Sequence, residues 1–144
     1  MDAATRVVII TGPNTGGKTV ALKTVGLFAL MNQFGLALPA GEGTTLPIFD
    51  GVYADIGDEQ SLEMDLSTFS SHVRQIAGIL REVKSDSLVL LDELGSGTDP
   101  AEGGALGAAV LASLQESGCV SVITTHHNTL KLFGARTEGA VNAA

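Results

Sequence analysis

The sequence has almost no cysteine, the residue that forms disulfides and metal-thiolate clusters. Cys119 is the only cysteine, so an internal disulfide is excluded, and so is a cluster of thiolates around a metal ion. We interpret Cys119 as a small core side chain at the start of an apolar strand rather than as a reactive thiol. A lone cysteine fits a reducing, intracellular setting.

Long apolar runs and a secretion signal are missing as well. No stretch approaches the roughly 20 apolar residues that are needed to cross a bilayer. Residues 1–5 lack the basic segment with which a signal peptide begins. We therefore expect a soluble, cytoplasmic protein that has no membrane partner.

Basic residues are scarce. The chain has eight Lys and Arg against 16 Asp and Glu, which gives a formal net charge of -8. Binding to phosphate backbones requires clustered Lys and Arg, and no basic stripe exists here. We expect any contact with DNA or RNA to come from regions outside this chain.

The sequence does contain enough apolar residues for one core, arranged in alternating short and long segments. With 144 residues and 44% apolar content, one globular domain is expected. Short β-branched or apolar runs predict strands at 6–11, 52–56, 87–91 and 120–125. Longer segments between them predict helices, and this alternation favours an α/β fold with a mostly parallel sheet and helices on both faces. In such folds the ligand crevice lies at the carboxyl ends of the strands.

Each predicted helix has its own sequence signal. Residues 18–34 are apolar nearly all round, so we expect a largely buried helix that ends at Gly35. Residues 69–83 show the spacing of an amphipathic helix, with Arg74, Arg81 and Glu82 facing water. A third helix should begin at a capping box formed by Asp99, Pro100 and Glu102 and should end at Gly118.

The strongest chemical signal is a glycine loop between the first strand and the first helix. It matches the pattern G-x-x-x-x-G-K-[ST] in full, and its residues are Gly12, Pro13, Asn14, Thr15, Gly16, Gly17, Lys18 and Thr19. The glycines let backbone amides and the helix N-terminus point at phosphate oxygens. Lys18 would neutralise the β- and γ-phosphates, and Thr19 would offer its hydroxyl to Mg²⁺. A turn that merely joins a strand to a helix would not need a lysine there.

Two acidic residues follow the third predicted strand. Asp92 is placed to hold Mg²⁺ through its water shell. Glu93, directly after it, is our candidate for the general base that accepts a proton from the water attacking the γ-phosphate. A solvated strand end is the alternative interpretation of this pair, and the complete glycine loop argues against it.

His126 stands just past the last predicted strand, where it could hydrogen-bond the γ-phosphate and sense its presence. An ordinary polar residue at a strand end is the alternative. A zinc site at His126 and His127 is disfavoured, because adjacent residues on an extended segment point to opposite faces and no further Cys or His lies nearby.

Together these motifs resemble the ATPase domain of the MutS family, which is itself related to the ATP-binding cassette superfamily. The resemblance covers nearly the whole chain. Residues 12–19 resemble the family's Walker A form, 67–69 its signature segment, 92–98 its Walker B and D-loop, and 125–126 its switch histidine. The residues at positions 70–72 and 99–100 are similar to those of the MutS-two branch of the family.

This resemblance implies a homodimer in which two ATPase faces enclose two ATP molecules and Mg²⁺. Ser67 and Thr68 of one chain would approach the γ-phosphate bound by the other, although the two residues could instead only cap the helix at 69–83. Gln60 would lie in the segment that links nucleotide state to neighbouring domains. We also expect Val20, which directly follows the glycine loop and Thr19, to contact the nucleotide.

We expect residues 1–144 to form a single P-loop ATPase domain, with DNA-binding and nuclease regions outside it. Because only 11 residues precede Gly12, the contacts that hold adenine are expected to be incomplete. The resemblance implies that ATP binding and hydrolysis drive dimerisation of a protein that acts on branched or mismatched DNA, in suppression of homologous recombination or in repair. It also allows a ribosome-associated rescue role. The alternatives are an assembly switch that holds ATP or ADP without significant hydrolysis, and a P-loop kinase, which Ser67, Thr68 and His126 disfavour.

Overall fold

The computed structural model describes residues 5–12, 17–57 and 65–143. These parts of the chain alternate between strands and helices, as the sequence predicts. The elements are β1 (Val7–Thr11), α1 (Lys18–Gln33), β2 (Gly51–Asp55), α2 (Asp65–Glu82), β3 (Ser87–Leu91), α3 (Pro100–Ser117), β4 (Val120–Thr125), α4 (Asn128–Arg136) and β5 (Ala140–Ala143).

The strands form one sheet in the order β2-β3-β4-β1-β5, and each described pair is parallel. In the ladder between β1 and β4, Thr11 pairs with Thr125. In the ladder between β3 and β4, Leu91 pairs with Ile123. The carboxyl ends of the three central strands therefore lie within two residues of one another at a single edge of the sheet.

Helices cover both faces of the sheet, which confirms the predicted α/β architecture. On one face α1 packs Leu22 and Ala29 against Leu88, Leu90 and Val122. On the other face α2, α3 and α4 enclose a second core, made by Val7, Ile9, Ile76, Ile79, Val89, Leu91, Leu94, Val110, Leu111, Leu114, Cys119, Ile123 and Leu130. β3 contributes alternate side chains to both cores, which explains why its five residues are all buried.

α1 ends where the sequence predicts, but it is much less buried than its apolar composition suggests. Gly35 has φ of 69°, and its N–H donates to the carbonyl of Asn32 while the next N–H donates to Met31. These two bonds are those of a Schellman C-terminus. Only Lys18, Leu22, Gly26 and Ala29 are buried in this helix.

The outward side of α1 carries apolar side chains that nothing in the described chain covers, and the expectation of a largely buried helix is therefore wrong. Val20 is 66% exposed, Leu27 56% and Leu30 43%. A sheet face can bury only one stripe of a helix. Neither α1 nor any other helix in the described ranges is long and apolar enough to cross a membrane.

α2 is amphipathic as predicted, with Ile76 and Ile79 buried and Arg74, Arg81 and Glu82 exposed. It begins four residues earlier than the sequence spacing indicated. Because its first residue is Asp65, positions 67 and 68 lie inside its first turn. The interpretation that Ser67 and Thr68 cap this helix is therefore wrong.

α3 begins with half of the predicted capping box. The Asp99 side chain accepts from the N–H groups of Ala101 and Glu102, and Pro100 occupies the first helical position. Glu102 accepts instead from the Thr98 hydroxyl, over 3.1 Å, so the reciprocal bond of the box is replaced by a side-chain bond. The helix ends at Gly118, with φ of 72°, as expected.

The sequence interpretation missed α4 and β5, and it misjudged the two histidines between β4 and α4. β4 ends at Thr125, and His127 is the N-cap of α4. The rings of His126 and His127 stack, with centroids 4.5 Å apart and an interplanar angle of 29°. The expectation that they point to opposite faces is wrong, although His126 is exposed and His127 is buried.

Candidate functional site

Three strand ends bring the predicted chemical residues to one edge of the sheet. Gly12 follows β1, Asp92 follows β3 and His126 follows β4. Because β4 lies between β1 and β3, the phosphate loop and the acidic pair are separated by only one strand. The N-terminus of α1 begins at the same edge.

A hydrogen bond across this edge joins the end of the glycine loop to the acidic pair. The Thr19 hydroxyl donates to Oδ2 of Asp92 over 2.7 Å. The hydroxyl of Thr124 donates to Oδ1 of the same carboxylate. Asp92 is 9% exposed, so its two oxygens are held by hydroxyl groups from α1 and β4.

Lys18 is buried at the first residue of α1, where a charged side chain needs polar partners. Its Nζ donates to the carbonyl of Gly12 over 2.7 Å, so the ammonium folds back towards the start of the glycine loop. Gly12 has φ of 143° and Gly17 has φ of 75°. Residues that carry a Cβ rarely adopt these backbone conformations, which explains why glycine occupies both positions.

Glu93 stands out in the backbone of the site. It has φ of 49°, and no other non-glycine residue in the described parts of the chain has positive φ. Its N–H donates to Oγ1 of Thr124 over 2.8 Å, and the N–H of Leu94 donates to the Thr124 carbonyl over 2.9 Å. A single residue of β4 therefore holds the backbone on both sides of the Glu93 carbonyl. Such outliers concentrate at functional sites.

The turn after Glu93 is fixed by contacts that sequence reasoning did not find. The carbonyl of Leu94 accepts from the Thr125 hydroxyl over 3.0 Å, and the carbonyl of Gly95 lies 3.0 Å from Nε2 of His127. A Cβ built on Gly103, in α3, would overlap the Gly95 oxygen. The adjacent pair of histidines was the only sequence signal for this junction.

A second pair that the sequence did not reveal joins the end of β2 to α2. Nδ1 of His72 lies 2.9 Å from Oδ2 of Asp55, whose side chain is 8% exposed. Gln75, one turn further along α2, donates to the carbonyl of Ala54 over 3.0 Å. These contacts fasten α2 to the strand that leads towards position 60.

Several predicted site residues lie outside the described residues. These are Pro13, Asn14, Thr15, Gly16 and Gln60. Positions 67 and 68 lie in the first turn of α2. Val20 lies on the first turn of α1 and is 66% exposed.

The cysteine lies away from this edge. Cys119 is fully buried at the opposite end of the sheet, before β4, which confirms its interpretation as a core residue. Burial raises the pKa of its thiol. In the ranges 5–12, 17–57 and 65–143, no group of three or more His, Cys, Asp or Glu side chains is arranged to hold a metal ion. An ion at Asp92 would therefore depend on hydroxyl, water or ligand oxygens to complete its shell.

A parallel sheet covered on both faces, with a glycine loop leading into α1 at its carboxyl edge, defines the P-loop NTPase class. Comparison of the sequence with family models is more specific. The model described as MutS domain V matches residues 8–143, and the chain belongs to this family.

Individual relatives agree with the family match. The chain is 60% identical over 135 residues to a protein named Endonuclease MutS2 from Acetivibrio thermocellus, and 61% identical over 136 residues to one from Alkaliphilus oremlandii. In both cases 94% of this chain is aligned, and it spans 17% of the relative's length. A protein of the same name from Gemmatimonas aurantiaca is 53% identical over all 144 residues, which span 18% of its length.

Proposed function

We propose that this chain binds ATP with Mg²⁺ at the carboxyl edge of its sheet and hydrolyses it. The 2.7 Å hydrogen bond between Thr19 and Asp92 carries the proposal. It joins the residue that ends the glycine loop to the acid after β3, and a P-loop enzyme needs both on the same metal. The match to MutS domain V supports the same conclusion, since that domain is the ATPase domain of the family.

The sequence pattern of residues 12–19 and the position of α1 support nucleotide binding. The loop precedes a helix of 16 residues, and the N–H groups and dipole of a helix N-terminus favour phosphate. Lys18 already lies against the start of the loop. When phosphate oxygens replace the Gly12 carbonyl as its acceptor, the lysine exchanges a neutral partner for a charged one, and such bonds are stronger.

The residues around Asp92 fit a magnesium ion. Mg²⁺ prefers oxygen ligands, and the Thr19 hydroxyl and the Asp92 carboxylate place two oxygens 2.7 Å apart. Thr19 would ligate the ion directly and Asp92 through its water shell. A bound ion would supply positive charge against the β- and γ-phosphate oxygens.

Glu93 would act as general base and His126 as a donor to the γ-phosphate. The backbone of Glu93 is fixed by Thr124, whose hydroxyl also contacts Asp92. One β4 residue thus sets the positions of the proposed base and the proposed metal-binding acid relative to each other. A fixed base can take the proton of the attacking water without a reorientation step.

The wider role that we propose is that of the ATPase region of a MutS2-type protein. The relatives with 53–61% identity carry the name Endonuclease MutS2. ATP would drive dimerisation, with Ser67 and Thr68 of each chain completing the site of the other and Gln60 reporting nucleotide state to further domains. Branched or mismatched DNA would bind through regions beyond this chain, in suppression of homologous recombination, and a ribosome partner is the alternative.

Binding and hydrolysis are tested separately in the 144-residue chain. Affinity for a non-hydrolysable ATP analogue is measured by calorimetry with Mg²⁺, and hydrolysis by phosphate release. We expect Lys18→Ala to abolish binding. Glu93→Gln should retain binding but lower release by about 10²- to 10⁴-fold, the usual contribution of a general base. Glu82→Gln, at the exposed end of α2, is the matched control and should match wild type in both assays.

The outcomes separate the alternatives. Equal analogue affinity for the wild type and Lys18→Ala would exclude the nucleotide site. Binding without phosphate release at any protein concentration would identify an assembly switch. Release that rises with the square of protein concentration would support hydrolysis within a dimer.

Complementation between two inactive variants tests whether the second chain contributes to the site. Lys18→Ala cannot hold ATP but retains Ser67, whereas Ser67→Ala holds ATP but lacks the group offered to its partner. In a mixed dimer one composite site has both residues. We expect phosphate release to reappear on mixing, and its absence would argue against action of Ser67 across the interface.

A further inference from the structure

His127 is buried immediately after β4, although its neighbour His126 is exposed. Its Nε2 lies 3.0 Å from the Gly95 carbonyl oxygen, and its backbone N–H donates to the Thr125 hydroxyl over 3.1 Å. A carbonyl oxygen only accepts hydrogen bonds, so Nε2 must carry a proton and donate it. The imidazole therefore fastens the entry to α4 to the turn that follows Glu93.

Tight packing holds the Gly95 carbonyl against this imidazole. A Cβ on Gly103 would overlap the Gly95 oxygen and lie 3.2 Å from Nε2 of His127. A Cβ on Gly95 would lie 2.5 Å from the Gly103 carbonyl oxygen and 3.0 Å from Cδ2 of His127. Both positions are buried glycines. The first turn of α3 and the histidine thus enclose the Gly95 carbonyl, and a side chain on either glycine would overlap the carbonyl oxygen of the other.

We propose that His127 is a positioning residue of the ATPase site, which fixes Gly95 and thereby holds Glu93 in its left-handed backbone conformation. This inference rests on the proposed role of Glu93 as general base. Non-glycine residues rarely adopt the φ of 49° found at Glu93, so the surroundings must impose it. Thr124 fixes the N–H of Glu93, and His127 fixes the chain two residues later.

The stacked histidine rings extend this arrangement towards the nucleotide. His126 and His127 have ring centroids 4.5 Å apart, and His126 is the proposed contact to the γ-phosphate. A shift of the His126 ring on binding or loss of that phosphate would press on His127 and, through Nε2, on the Gly95 carbonyl. The geometry of the base would then follow the state of the nucleotide.

Two substitutions separate the hydrogen bond from the packing of the ring. His127→Phe retains an aromatic ring but has no donor, whereas the amide nitrogen of His127→Gln can occupy the Nε2 position and donate. We expect His127→Phe to lower kcat for phosphate release by about 10- to 100-fold, the effect of a misplaced catalytic group. KM for ATP should stay within about twofold, because the lost interaction does not bind substrate. His127→Gln should recover most of kcat.

Asn128→Ala, adjacent and exposed, is the matched control and should leave kcat and KM unchanged. If His127 had only a structural role, His127→Phe and His127→Gln would lower kcat equally, in proportion to their loss of stability. That pattern would overturn the proposal. Unchanged kcat in His127→Phe would overturn it too.

A second measurement does not depend on hydrolysis. Imidazole ¹⁵N spectra of the wild type should show the Nε2–H form of His127, and amide exchange at Ser96, whose N–H donates to the Glu93 carbonyl, should be slow. Exchange at Ser96 should accelerate in His127→Phe and recover in His127→Gln. A proton on Nδ1 alone, or equal exchange in all three proteins, would overturn the proposal.

The same junction can be disturbed without changing the histidine. Gly103→Ala pushes a methyl group into the Gly95 oxygen and should reproduce the faster Ser96 exchange and lower kcat of His127→Phe. A wild-type chain that binds ATP but releases no phosphate would refute the proposed hydrolysis, and Ser96 exchange would still decide whether His127 fixes the turn. If Glu93→Gln lost phosphate release while His127→Phe kept the wild-type kcat, the positioning role of His127 would be refuted and the role of Glu93 would stand.

Discussion

The hydroxyl of Thr19 and the carboxylate of Asp92 are hydrogen-bonded over 2.7 Å, although 73 residues separate them in the chain. The bond connects α1, on one face of the sheet, with the end of β3. Because Thr124 contacts the other carboxylate oxygen, neither oxygen of Asp92 depends on water alone for a partner. The proposed metal site is therefore assembled by side-chain bonds within the protein.

Removal of the Thr19 hydroxyl should affect both stability and metal-dependent binding. Thr19→Val retains the shape of the side chain and leaves Oδ2 of Asp92 without this donor. We expect a loss of about 1.5–3 kcal/mol in the free energy of unfolding, typical of a lost hydrogen bond to a charged group. We also expect weaker binding of the ATP analogue in Mg²⁺ but little change in EDTA. Calorimetry and urea unfolding measure the two effects.

Thr19→Ser is the control for that experiment, since it restores the hydroxyl. Recovery of Mg²⁺-dependent binding in Thr19→Ser is expected. If Thr19→Val retained full affinity in Mg²⁺, the proposed ligand role of Thr19 would be wrong.

Thr124→Val should be more damaging than its conservative shape suggests. The hydroxyl of Thr124 donates to Asp92 and accepts from the Glu93 N–H, and the residue is fully buried. The substitution removes a donor from the Asp92 carboxylate and an acceptor from the Glu93 N–H, at a cost of about 1–3 kcal/mol each. Urea unfolding should show a large loss for Val and a much smaller one for Thr124→Ser. Thr44→Val, in an exposed loop, should change stability by less than about 0.5 kcal/mol.

Two glycine-to-alanine substitutions in helices should have opposite signs. In α2, a Cβ on Gly78 meets nothing within 4 Å, so Gly78→Ala should stabilise the protein by about 0.5–1 kcal/mol through helix propensity. In α1, a Cβ on Gly26 would lie 2.6 Å from Cδ1 of Leu90, which is buried. Gly26→Ala should cost about 1–3 kcal/mol. Thermal unfolding checks both, and stabilisation by Gly26→Ala would contradict the packing of α1 on β3.

Cys119 should make stability depend on alkaline pH. Burial raises the pKa of its thiol in the folded protein, so the folded state retains the proton at pH values where the unfolded state loses it. The stabilisation is complete below the pKa of a free thiol, about 8.5, and is lost as the pH rises towards the folded value. The free energy of unfolding should therefore fall over this range more steeply in the wild type than in Cys119→Ala. Parallel curves would contradict this effect.

The regular elements with strong local signals could be predicted from the sequence. β3 and β4 have the predicted bounds, because each is a short apolar run between clear breaks. The end of α1 at Gly35 and the start of α3 at Asp99 follow from backbone chemistry of single residues. Because the strands are parallel, the predicted site residues that follow them lie at the same edge of the sheet.

The remaining features depend on contacts between distant residues. The apolar side chains of α1 carry no information about which of them the sheet covers. The helix as a whole was therefore wrongly expected to be largely buried, although side chains such as Leu27 are exposed. The contact of His127 with Gly95 and that of His72 with Asp55 join separate elements. β5 is short, and three of its four residues are exposed, so it has little apolar pattern to detect.

The position of β1 in the sheet determines when this site can be assembled during synthesis. Of the five strands of this sheet, β1 is synthesised first, and its two neighbours, β4 and β5, are synthesised last. Until residues 120–143 are available, the two strands that pair with β1 in this sheet are missing. Such long-range pairing is slow compared with local folding, so we expect β1 to join the sheet only after β4 and β5 have been synthesised.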